Sequence, residues 1–120
     1  MANPQKGEVD FIVGDKTYTM KLGHNARATA EGLLGKQFPL IIGEILDADA
    51  ITHETLIAVM FAALHQFQPE LSLFDVGDLL DDVPDEYVGE RLMEAMTAAA
   101  PKVSSVPPRK AKQRRAGTTT

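Results

Sequence analysis

The stretch that most constrains this chain is ITHETLIAVMFAALHQF, residues 51–67. Its apolar residues Leu56, Ile57, Val59, Met60, Phe61 and Leu64, with small Ala58, Ala62 and Ala63 between them, leave no clearly polar face. A helix that is apolar nearly all round belongs inside, because exposed it would leave too much oily surface in water. Its start is marked by Thr52 as a natural N-cap, by His53 and Glu54 in the first turn, and by Ile51, which can reach Leu56 as a hydrophobic staple. Its end is marked by Pro69, which cannot continue a helix and pushes Gln68 toward extended geometry. A membrane span needs about 20 continuous apolar residues, and the run from Leu56 to Leu64 is far shorter. The expectation is a central core helix over residues 53–67, buried by protein and not by lipid.

Residues 7–22, GEVDFIVGDKTYTMKL, read as a β-hairpin turning at Gly14-Asp15, where glycine in the first turn position supplies the positive φ of a tight two-residue loop. The register follows: Val13 faces Lys16, Phe11 faces Tyr18 and Val9 faces Met20, so Val9, Phe11, Tyr18 and Met20 share one apolar face. The other face pairs Glu8 with Lys21, Asp10 with Thr19 and Ile12 with Thr17, mostly polar and with opposite charges apposed. Two strands alone are marginal in water, so the hairpin must lie against helices or gain strands from another copy.

Helical spacing takes over after Leu22. Asn25 is read as the N-cap of a helix over 25–34 that Gly35 closes in the left-handed conformation. A second short helix over 39–46 starts at Pro39, with Leu40, Ile41, Ile45 and Leu46 facing inward. Gly32 and Gly43 weaken both, so they depend on packing more than on propensity. Beyond the central helix, Ser72 caps, Asp75 stands three residues on and Leu71 can staple to Val76, giving a helix over 73–80. The last helix, 84–99, carries Tyr87, Val88, Leu92, Ala95, Met96 and Ala99 on one stripe and Glu86, Glu90 and Glu94 outward. The fold class is therefore α+β, an N-terminal hairpin packed on a mainly α-helical bundle that forms a single domain over residues 1–100.

From Pro101 the apolar content collapses, and PKVSSVPPRKAKQRRAGTTT cannot bury enough surface to order itself, so residues 101–120 read as a disordered basic C-terminal tail. All 17 acidic residues lie before residue 95, and half of the 12 basic ones lie in the last twenty positions. Six basic against 17 acidic residues leave residues 1–100 at −11, while the tail carries +6. Cysteine is absent, which excludes disulfides and thiolate metal sites, and MANPQKGEVD lacks the apolar stretch of a secretory signal. Both point to a cytoplasmic protein.

Catalytic chemistry has little to stand on. His24, His53 and His65 fall in different elements with no pair at ligand spacing, and no Ser or Thr sits in a nucleophile turn. The acidic run Asp75, Asp78, Asp81, Asp82, Asp85 and Glu86 lacks the alternating carboxylates and central glycine of a calcium loop and reads as solvated surface. No enzyme, cofactor or metal is expected. The tail's RKAKQRR is of a kind that neutralises phosphates, yet it holds no aromatic residue to stack on a base and its body is acidic. Docking or self-shielding against that body, or plain solvation, is preferred to nucleic-acid binding.

Taken together, Gly7-Glu8-Val9 opening the hairpin, the second strand from Tyr18 to Leu22, the Gly35-terminated helix, the Thr-x-x-Thr-Leu start of the core helix at Thr52 to Leu56, and a closing helix rich in Leu, Met and Ala form a pattern that resembles the tail assembly chaperones of tailed phages and gene transfer agents, above all the small gene-transfer-agent type. The likeness covers about residues 5–100 and excludes the tail. HNARATAEGLL is more polar than the leucine-rich segment of that family. The resemblance implies a non-enzymatic protein in the cytoplasm of a bacterial host that binds the long, helical tape measure protein and keeps it soluble until the tail tube assembles around it.

Phe67, Leu71, Leu73 and Phe74 bracket Pro69 at a helix junction, where they either complete the core or form a sticky patch able to hold an apolar client helix. The alternative functions are a small structural subunit of a virion-like particle, its hairpin edge pairing with a second copy as a homo-oligomer, and a nucleic-acid-associated protein acting through the tail. The hairpin reading itself is open to test. Gly14→Val should destabilise by more than about 1 kcal/mol in denaturant titrations while Asp15→Asn is nearly neutral; equal effects would overturn the register.

Overall fold

In the computed structural model, which describes residues 2–47 and 49–99, a 3-10 turn at Pro4–Lys6 leads into strands β1 (Glu8–Val13) and β2 (Lys16–Lys21). They pair antiparallel in the register read from the sequence, Glu8 opposite Lys21 through Val13 opposite Lys16, and Gly14 holds φ +63° in the loop. Val9, Phe11 and Met20 are buried on the apolar face and Tyr18 is half-buried, while Ile12 on the other face is exposed. Five helices follow among the described residues: α1 (His24–Leu34), α2 (Phe38–Leu46), α3 (His53–His65), α4 (Leu73–Asp81) and α5 (Asp85–Ala99). The segment 101–120, read as a disordered tail, lies outside the described residues.

Helix α3 is the hub, packing against α1, α2, α4 and β2 and burying Ala58, Val59, Met60, Ala62, Ala63 and Leu64. Thr52 caps it, accepting from the Thr55 N–H at 3.1 Å. Helix α1 buries only Ala26 and Ala30, and these small residues let its backbone approach α3. Its polar surface is put to use, since the Arg27 guanidinium lies 5.4 Å from the centre of the Phe38 ring. Ser72 and Asp75 close the expected capping box on α4, each side chain bonded to the other's N–H at 3.0 Å. On α5, Val88, Leu92 and Ala95 enter the core and Glu86, Glu90 and Glu94 face water.

Both edges of the hairpin carry side-chain partners from other elements. On β1, the Ile12 N–H donates to the Tyr87 hydroxyl at 2.9 Å, the Arg91 guanidinium donates to the Asp10 carbonyl at 3.1 Å, and the Tyr87 ring stacks on Phe11 with centroids 5.5 Å apart. On β2, the Gln68 side chain acts as a strand would: its Oε1 accepts from the Thr19 N–H at 3.0 Å and its Nε2 donates to the Thr19 carbonyl at 2.9 Å. The partners that a lone hairpin needs come from α5 and from the connector after α3.

Three expectations change. Asn25 is not a cap: α1 starts at His24 behind an extended Gly23, whose carbonyl accepts from the Arg27 N–H at 3.0 Å. Helix α2 starts at Phe38, so positions 38, 41, 42 and 45 make the inward stripe; Phe38 and Ile41 are buried, whereas Leu40 and Leu46, expected inside, are 61% and 60% exposed. Helix α3 ends at His65, two residues early, because Gln68 is drawn onto β2 and also bonds the Leu64 carbonyl at 2.8 Å.

Glu44 ties α2 to its neighbours. It pairs with Lys36 and accepts from the buried Thr55 hydroxyl at 2.7 Å, and the hydrogen bond from Lys36 foremost, then that from Thr55, with the lysine's charge, outweigh desolvation and hold its pKa below the ordinary carboxylate value. A lowered folded-state pKa gives stability that is present above the unfolded value and lost as pH falls through the folded one. Glu44→Gln should therefore lower the Tm at neutral pH, and its difference from wild type should close as pH drops below the usual carboxylate range. A difference constant across that titration would show that the charge is not the source.

Candidate interaction surface

The capping box sets the phase of α4 and thereby decides which residues it presents. Val76 is buried, Leu79 and Leu80 pack against the core, and Gly77 lies against Ile57 of α3. The opposite side carries Phe74, Asp75, Asp78 and Asp81, so Phe74, 81% exposed, is a phenyl ring on an acidic face. Leu73, 41% exposed, turns toward α1 and α3 and, with Leu33, Leu34, Ile57 and Ala58, lines a groove of about 210 Å³ with Glu54 at its edge.

The four residues read around Pro69 do not form one patch. Leu71 packs against the core, and Phe67, 37% exposed, sits in the turn beyond the C-terminal end of α3. Leu73 meets the first half of α3 at Ile57 and Ala58, so the connector runs back along that helix. From Ile57 to Phe67 the rise along an α-helix is about 15 Å. Leu73 thus belongs to the groove, Phe74 to the neighbouring acidic face of α4, Phe67 to the far end, and Leu71 packs against the core.

A second, larger opening lies between α2, α3 and α5. It holds about 410 Å³ over an apolar floor of Ile45, Leu56 and Leu92, with Asp85 and Glu86 on its lip. No residue of this opening was singled out by reading the sequence for a partner. A second feature passed over there was the absence of cations: residues 37–90 contain no lysine or arginine and twelve acidic residues. The flanking cations are committed, Lys36 to Glu44 and Arg91 to Glu94 and the Asp10 carbonyl. Surfaces built from α3, α4 and the first turns of α5 are therefore acidic without relief.

His24, His53 and His65 stay apart on α1 and the two ends of α3, and His65 stacks on Phe61 with centroids 5.0 Å apart. Among the described residues no three His, Asp or Glu side chains converge as a metal site. No helix among them is long and apolar enough to cross a membrane. Comparison of the chain with protein-family models, curated proteins and solved structures finds no match.

The exposed apolar residues should contribute little to the fold they decorate. Phe74→Asp should change unfolding free energy by no more than about 0.5 kcal/mol, whereas Leu92→Ala, fully buried on α5, should cost about 2–5 kcal/mol in the same denaturant titration. A large loss from Phe74→Asp would mean that the ring is held by the core.

Proposed function

We propose that this protein is a non-enzymatic tail assembly chaperone that binds the tape measure protein and keeps it soluble during assembly of a phage or gene-transfer-agent tail in the bacterial cytoplasm. The observation that carries the reading is the groove of Leu33, Leu34, Ile57, Ala58 and Leu73, with Phe74 standing exposed on the adjoining face of α4, and with its α3 and α4 walls drawn from a run of 54 residues without a cation. A long helix that is apolar along one side aggregates through that side. Laid in such a groove it buries its apolar stripe, in the manner of helix-in-groove recognition. Each bound copy also adds net negative charge, so neighbouring complexes repel.

Side chains seated on both hairpin edges count against the rival reading as a strand-pairing structural subunit, because a second copy pairing along either edge would have to displace Tyr87 and Arg91 or Gln68 from their backbone partners. Co-expression with the tape measure protein of the same gene cluster should raise its soluble yield and give a complex that survives moderate salt, as apolar burial predicts. Leu73→Asp with Phe74→Asp should weaken the complex by about 2 kcal/mol or more, roughly thirtyfold in Kd, with the Tm within a few degrees of wild type. A client no more soluble with this protein than without it, and no complex even at low salt, would overturn the reading.

A further inference from the structure

We propose that the basic segment 101–120 folds back along α5 and seats in the cleft between α2, α3 and α5, with Val103 and Val106 over the apolar floor and the cations from Arg109 to Arg115 over the acidic lip. The inference stands apart from the chaperone reading, since it concerns a ligand that the chain itself supplies.

Length fits. The cleft meets α5 from Asp85 to Leu92, the nearer end seven and the farther end fourteen residues before Ala99, a rise of about 10 to 21 Å along the helix. Val103 and Val106, four and seven residues past Ala99, reach about 13 and 24 Å in an extended chain, which spans the cleft mouth. Pro107 and Pro108 favour that extended geometry. The route back passes the outward carboxylates Glu90 and Glu86.

Charge fits as well. The body carries −11 and the segment +6, and the cleft is walled by the part of the chain that lacks cations, so no internal lysine or arginine competes for Asp85 and Glu86. At about 410 Å³ the cleft falls within the size range of a ligand pocket, and its floor of Ile45, Leu56 and Leu92 suits small branched side chains. Tethering raises the effective concentration to the millimolar range, which makes a weak apolar and ionic contact sufficient. The seated segment covers an apolar opening that would otherwise be sticky and offsets part of the body's self-repulsion.

The absence of cysteine provides the test. A nitroxide on Ala111→Cys in the full chain should selectively broaden the amide signals of Ile51, His53, Glu86 and Gly89 at low salt and spare those of Asp15 and Phe74. Raising the salt severalfold should weaken the effect, and either Asp85→Asn with Glu86→Gln or Arg114→Gln with Arg115→Gln should abolish most of it. Broadening that is absent or uniform at low salt, or that is indifferent to both pairs of substitutions, would overturn the proposal. So would equal broadening in a mixture of isotope-labelled chain and separate nitroxide-bearing chain, which would assign the cleft to the segment of a second copy.

Discussion

A two-stranded hairpin leaves half of its backbone groups and one whole apolar face without partners, and the architecture is arranged around supplying them. Helix α5 covers β1 with Tyr87 and Arg91, the Gln68 amide covers β2 at Thr19, and the face bearing Phe11 and Met20 is buried under helices. These ties join residues 49 to 81 positions apart in sequence. They force α5 to return to the first strand and force the connector after α3 to lie on the second. Helix α3, whose middle from Ala58 to Leu64 is almost wholly apolar, is then packed on most sides because the other elements are anchored to the hairpin around it.

Where one local rule decided an outcome, the sequence was legible. Gly14 dictated the loop, the loop dictated the register, and the register put Val9, Phe11 and Met20 inside. Thr52, Ser72 with Asp75, and Gly35 end helices through backbone groups within three or four residues, and each acts as read. What failed depended on phase or on distant partners. Phe38 enters the core as the first residue of α2, which centres the inward stripe on 38, 41, 42 and 45 and turns Leu40 and Leu46 outward. The connector's path was hidden because a glutamine that mimics a strand leaves no periodic signal, and that path separates Phe67 from Leu73 and Phe74. A tightly folded junction around Pro69 would have kept them together.

The two surface openings share a wall. Leu56 floors the cleft and Ile57 lines the groove, so neighbouring residues of α3 look out on two different sides of one helix, as successive positions about 100° apart do. The helix that carries the core is thus also the partition between the two sites, and Glu44 and Thr55 brace it at the end where both begin. Few residues in a domain this small can serve burial alone.

The long interval without cations has a practical side. Between Lys36 and Arg91 the chain offers trypsin no bond to cut and amine-directed reagents no side chain to modify. Folded or unfolded, residues 37–91 leave a tryptic digest as one large acidic fragment bearing all of α2, α3 and α4. A lysine-reactive cross-linker passes over the groove and the cleft alike, so contacts made there have to be captured through carboxylate chemistry. The same stretch, lacking lysine, is equally closed to lysine acylation.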